Sequence, residues 1–209
     1  MLTRFKIICL FGFIVFGFTT TKAQIETSRW KALIALGVNS PSQDGFVKPF
    51  EANGLNFPTI NLGVQHMFNK QMGAKLDFGY NRFEQAENTP EFKVNYTRIN
   101  AQFVYDASPD FTFLPYGTGI VFHAGPGYSM IKPLNDYGDN KISYLNVMAG
   151  TEFHYALSRT VSAYFDASYI LGFSDEFEPV STGYGSFNGN LLTFTVGVAV
   201  SLSGCATCN

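Results

Sequence analysis

The chain has 209 residues, with 14 Lys and Arg against 16 Asp and Glu, a formal net charge of −2, 14% charged residues and 16% aromatic ones. Soluble domains carry about 25% charged residues, so this chain is short of the groups that cover a water-facing surface. Its weak acidity, and the lack of any basic stripe with interleaved aromatics, exclude nucleic acid as a partner, because that binding relies on clustered Lys and Arg neutralising phosphates.

The first element is a targeting segment. In MLTRFKIICLFGFIVFGFTTTKAQ, Arg4 and Lys6 precede an uncharged apolar run from Ile7 to Phe18, and a polar stretch follows that ends in Thr21, Lys22 and Ala23. This is the pattern of a secretory signal cleaved after Ala23, with residues 1–23 discarded. A membrane anchor would need about 20 apolar residues to cross the hydrocarbon. Cleavage removes Arg4, Lys6 and Lys22 and no acid, so the mature chain is more acidic.

Eight segments of alternating polarity follow, the period of β-strands. Trp30 to Asn39 sets Ile34, Leu36 and Val38 against Lys31, Gly37 and Asn39. Pro58 to Phe68 sets Ile60, Leu62 and Val64 against Thr59, Asn61 and Gln65. Met72 to Phe83 opposes Leu76, Phe78 and Tyr80 to Lys75, Asp77 and Asn81, and Lys93 to Asp106 opposes Ile99, Ala101 and Phe103 to Arg98, Asn100 and Gln102. The fifth, from about Leu114 to Ile131, is the least regular, with Pro126 marking a bulge or the upper part of the strand. Ile142 to Tyr155 sets Leu145, Val147 and Phe153 against Asn146, Glu152 and His154, and Arg159 to Phe173 sets Phe165, Tyr169 and Leu171 against Asp166, Ser168 and Gly172. The last, Leu191 to Leu202, sets Phe194, Val196 and Val198 against Thr193, Thr195 and Gly197.

Alternation alone suits both a soluble sandwich and a membrane barrel. The connectors separate them. Those near 69–71, 107–113 and 157–160 read as short, and those near 40–57, 84–92, 132–141 and 174–190 as longer and rich in Gly, Pro, Asn, Asp and Ser. Strict alternation of short and long connectors, with an even strand number, predicts an all-β, eight-stranded antiparallel up-and-down transmembrane β-barrel over residues 24–202. Both termini are then periplasmic and four loops lie outside. The apolar parity faces outer-membrane lipid, with Trp30, Tyr80, Tyr105, Tyr128, Tyr155 and Tyr169 as interfacial girdles.

The segments PYGTGIVFHAGPGYS (115–129) and LLTFTVGVAVSL (191–202), with the strand pattern of residues 28–202, resemble the small eight-stranded outer-membrane barrels, in particular the N-terminal barrel domain of OmpA-like proteins. The resemblance implies an integral protein of the Gram-negative outer membrane, placed there by the barrel-insertion machinery, with a structural or narrow-pore, porin-like role and no cofactor. The sequence departs from that family in two respects. OmpA-like proteins continue into a peptidoglycan-binding domain where this sequence has residues 203–209, and small barrels commonly end on an aromatic residue where this one has Leu202.

By parity, Lys31, Lys75, Asp77, Arg98, Asp106, Glu152, His154 and Asp166 point into the lumen, and buried charges need partners. Two readings follow: a structural network of ion pairs, or a gate whose pairs exchange to pass small ions. Some small barrels are lipid A deacylases, palmitoyltransferases or omptin proteases. None of His66, His123 and His154 has a Ser two positions away on its own face, so no enzyme and no metal site is expected. Cys205 and Cys208 form a CxxC tail for which a local disulfide is the default in an oxidising compartment, a metal half-site or an interprotein link being the alternatives. Membership of a larger envelope complex, adhesion through the surface loops, and a soluble periplasmic lipocalin-like binder with an apolar lumen remain as other readings.

Overall fold

The computed structural model describes residues 29–202, so the signal reading of 1–23 and the Cys205–Cys208 tail lie outside the described residues. Eight strands follow one another: β1 (Trp30–Pro41), β2 (Asn56–Met67), β3 (Met72–Glu84), β4 (Lys93–Asp106), β5 (Thr118–Pro133), β6 (Ile142–Ala156), β7 (Val161–Phe173) and β8 (Leu191–Ser201). Each pairs antiparallel with its neighbours in sequence, and β1 pairs with β8 from Lys31↔Ser201 to Pro41↔Leu191. The sheet is a closed barrel in which every strand has two partners.

The alternation resolves into two surfaces. Ile34, Leu36, Leu62, Leu76, Phe78, Phe103, Leu145 and Val196 stand exposed on the outer wall. Thr59, Asn61, Gln65, Lys75, Asp77, Arg98, Asn100, Asn146, Glu152 and Asp166 are buried inside. A water-soluble barrel buries its apolar face, so the polarity here is inverted relative to the lipocalin-like reading. The aromatic positions also separate by register. Trp30, Tyr105 and Tyr155 pair near strand ends at the turn end (Trp30↔His66, Met72↔Tyr105, Thr118↔Tyr155), and Tyr169 pairs with Leu192 near the loop end.

Two sequence expectations need correction. The connection 107–117 is not short: β5 starts at Thr118 rather than near Leu114, which makes this turn longer than either 85–92 or 134–141. Strict alternation of connector lengths therefore fails at that joint. Pro115, the 3-10 turn Ser108–Asp110 and Gly117 at φ 82 divert the chain before the ladder can begin. Nor does Pro126 mark a bulge. The β4–β5 pairing keeps one register from Val94↔Pro133 to Asp106↔Val121, losing only the partners at Pro126 and its neighbour Gly125. Proline has no N–H to give the ladder, and the sheet absorbs that loss without shifting. The irregularity lies in β1 instead, between Gly37 and Asn39.

The outer-wall assignment is testable at Leu36, in the middle of β1 and 51% exposed. Leu36→Arg is expected to lower the stability of the chain folded into lipid vesicles by about 2–4 kcal/mol, the cost of Arg on the lipid face near the midplane. Denaturant titration followed by the fluorescence of the single Trp, Trp30, measures it. On a wall facing water the change would stay within about 0.5 kcal/mol.

Candidate functional site

The lumen is filled in two layers. Nearer the turn end is a layer of charge. Lys75 Nζ meets Glu152 Oε1 at 2.6 Å, and the other carboxylate oxygen of Glu152 meets His154 Nε2 at 2.7 Å. The His154 ring stacks on Tyr164 at 5.2 Å, and its Nδ1 lies 3.2 Å from Ser162 Oγ. Higher up, Arg98 donates from Nη1 to Asp77 Oδ2 at 2.5 Å and to Asn100 Oδ1 at 3.1 Å, and from Nη2 to Asn61 Oδ1 at 3.0 Å. A chain of amides continues this layer, with Asn100 donating to Asn146 and Asn146 to Ser129, whose hydroxyl meets Tyr96 OH at 2.7 Å. Arg98 is fully buried, and a guanidinium there is tolerable only because its charge and most of its donors are matched.

Glycine makes room for these groups. Gly79 pairs with Arg98 across β3 and β4, and a Cβ at Gly79 would collide with the guanidinium. Gly150 pairs with His123 on one side and Ser168 on the other, and a Cβ there would strike both.

Above the charge layer the lumen is closed by an aromatic plug. Phe46 and Phe50 from the first loop, Phe92 from the second and Phe187 from the last fold down onto Phe83, Val94, Tyr96, Ile131, Tyr144, Ile170 and Leu191 at the strand ends. The Phe46 and Phe187 rings lie 4.9 Å apart, Phe83 and Phe187 5.1 Å, and Phe46 and Phe92 5.5 Å, the separations of favourable tilted and edge contacts. Phe83, Phe92 and Phe187 have no exposed surface. The loops are tied together over the plug. Ser42 donates its N–H to Asn190 O at 2.9 Å, Gln43 exchanges hydrogen bonds with the Ala52 backbone, and Asn140 donates to Ser181 O and Tyr184 O.

Of the eight residues assigned to the lumen by parity, the structure joins Lys75, Glu152 and His154 in one cluster and Asp77 with Arg98 in another. Asp166 meets His123 at 3.2 Å. Lys31 and Asp106 stand apart, at the turn-end mouth, where Asp106 accepts hydrogen bonds from the Ser108 N–H and hydroxyl. Parity also places Asn61, Asn100 and Asn146 in the lumen, but neither the chain they form with Ser129 and Tyr96 nor the plug follows from it. The signal for the plug is visible in retrospect as isolated Phe residues within turn-rich loops.

Two groupings run against the sequence reading, which finds no Ser two positions from a His on its own face: one at His154, where Ser162 Oγ lies 3.2 Å from Nδ1 and Glu152 Oε2 2.7 Å from Nε2, and one at His123. Across the gap left by Gly150, Ser168 Oγ comes within 3.5 Å of His123 Nε2 and donates to Asp166 Oδ1 at 2.7 Å. A nucleophile relay needs Ser on one ring nitrogen and the carboxylate on the other. At His123 both face Nε2, Nδ1 has no partner among the described residues, and all three residues are buried inside the barrel. The His123 arrangement is a polar contact rather than a base poised to activate a hydroxyl, whereas His154 has the Ser and the carboxylate on opposite ring nitrogens, with Glu152 also paired to Lys75.

Solved structures share this architecture. The chain superposes on Neisserial surface protein A with a TM-score of 0.56 at 13% identity, covering 84% of this chain and 98% of that one. It superposes on a major outer membrane protein from Thermus thermophilus with a TM-score of 0.51 at 11% identity, covering 81% and 98%. For the N-terminal β-barrel domain of Pseudomonas aeruginosa OprF the values are 0.50 at 10% identity, covering 81% and 96%. No protein-family model matches the chain, and no curated protein matches it in sequence. The fold is therefore that of the small eight-stranded outer-membrane barrels, and at these identities the likeness is one of fold.

The Arg98–Asp77 pair yields a quantitative expectation. Asp77→Ala leaves a guanidinium buried without its counter-charge and is expected to destabilise the folded barrel by about 3–5 kcal/mol. Adding Arg98→Leu to it should recover most of that loss, because the uncompensated charge goes with it. Denaturant midpoints of wild type, single and double variants decide the matter.

Proposed function

We propose that the protein is an integral outer-membrane barrel with a structural role, closed to ion flow in its resting state. The observation carrying this reading is the filled lumen, with a matched layer of buried charge lying under an aromatic plug to which three loops contribute. Eight strands enclose a space that side chains can fill, and here they do so from both ends of the polarity scale. The exposed apolar belt supports residence in lipid, and the architecture shared with outer-membrane proteins supports that membrane in particular. In this reading the barrel-insertion machinery places the chain there, with the described ends at the periplasmic side and the tied loops outside. The buried pairs are structural, and a conducting state would require both their exchange and withdrawal of the plug.

Planar-bilayer recording of the chain refolded in detergent tests this, after a gel-mobility shift on heating has verified folding. Wild type is expected to give a baseline without sustained steps, and the variant combining Phe46→Ala with Phe187→Ala to give more frequent openings. Steady wild-type conductance equal to that of the plug variant would establish an open narrow pore instead.

A further inference from the structure

Among the described residues the aromatic plug fills the loop end of the lumen, and a cavity stands at the turn end. It holds about 290 Å³ and lies between the turns 68–71 and 157–160 and the ends of β1, β7 and β8. Lys31, Lys70 and Arg159 line it together with Asp106, Ser162 and Ser201. The single carboxylate is already engaged, accepting from the Ser108 N–H at 3.0 Å and from the Ser108 hydroxyl at 2.5 Å. Lys31 projects to the inner side of β1, in step with buried Leu33, Ala35 and Asn39, and is itself half-buried. Among the described residues no acid forms an ion pair with Lys31 or Lys70, whereas the deeper Lys75 is matched by Glu152. Met67, Val161 and Ala199 supply apolar wall, and low-dielectric walls concentrate the field of the ammonium groups in the cavity.

We propose that this mouth is a binding site for a small anion, a phosphate or carboxylate group held by Lys31 and Lys70 with the hydroxyl of Ser201 as a further donor. The volume lies at the lower end of the range for ligand pockets, so the ligand is an inorganic anion, a small phosphomonoester or a single headgroup rather than a chain. The same chemistry serves two sources, a free anion on the turn side of the membrane and the phosphate of a neighbouring lipid, since Lys70 sits on an exposed turn.

The test is calorimetric titration of inorganic phosphate, at constant ionic strength, into the full chain folded in an amine-oxide detergent that carries no phosphate. Saturable binding is expected, weakened at least tenfold by Lys31→Gln and by Lys70→Gln. Lys93→Gln, which removes the same charge from the Lys93–Glu84 pair at the loop end, should leave it unchanged. Lys70 is exposed on a turn, so its variant keeps the fold, and the heat-shift gel verifies this for each protein. Absence of saturable binding, or equal weakening by Lys93→Gln, overturns the proposal. A repeat in vesicles separates the sources: competition by phosphatidylglycerol but not by phosphatidylcholine assigns the site to a headgroup, and indifference to both assigns it to the free anion. Phosphate binding in detergent does not depend on conductance or on the membrane of residence, so its failure would leave the structural reading of the barrel untouched.

Discussion

Hydrocarbon offers no water to pair with a backbone N–H or C=O, and each unpaired group there costs several kcal/mol. The β1–β8 ladder meets that constraint, because it alone turns a row of eight strands into a surface without edges. The rest follows from the circumference so fixed. Eight strands leave an interior about as wide as the side chains that enter it, so the bulkiest lumenal groups need small neighbours at some positions. Gly79 opposite Arg98 and Gly150 between His123 and Ser168 are two such positions.

The buried charges have a second consequence for the assembly of the sheet. An ion pair inside a protein contributes little net stability once desolvation is counted, so the Lys75–Glu152 and Arg98–Asp77 pairs are weak evidence for a strong fold. They are stronger evidence for a unique register. Side chains alternate with a period of two, so a slip of one residue on β3 or β4 would carry Lys75 or Arg98 from the lumen to the lipid face, at about 2–4 kcal/mol for each cation near the midplane. The correct pairing is separated from its nearest competitors by charge, even where the outward residues are interchangeable aliphatics.

The strands, their order and the facing of nearly every side chain were legible from alternation, because a barrel in lipid obeys a binary rule at each position. What was illegible depends on distances between strands that are remote in sequence. Parity assigns Asp77 and Arg98 to the lumen but does not pair them, since the partner is set by register and stagger. It separates His123 from Ser168 by more than forty residues, whereas the β5–β6–β7 pairing brings them together across a single glycine. The plug escaped for a different reason. The loops that carry Phe46, Phe50 and Phe187 hold the Gly, Pro and Asn of surface turns, and composition reports those residues without revealing that the segments fold back into the barrel. The misplaced start of β5 has the same origin, because Leu114 and Tyr116 continue the alternating apolar pattern while Pro115 and Gly117 delay the ladder.

The two layers of the lumen also make it asymmetric. At the loop end its filling is apolar and tied by backbone hydrogen bonds between loops, so opening it requires rings to leave one another and the loop contacts to break together. Nearer the turn end the filling is charge bordered by the buried apolar residues Met67, Val104 and Val121, and half-buried Lys31 lines the cavity beyond. A barrel with both ends alike would be either a plug or a pore. With aromatic rings filling the loop end and Lys31 and Lys70 lining the cavity at the turn end, the same eight strands present unlike chemistry to their two sides, and the ammonium field acts on the turn side alone.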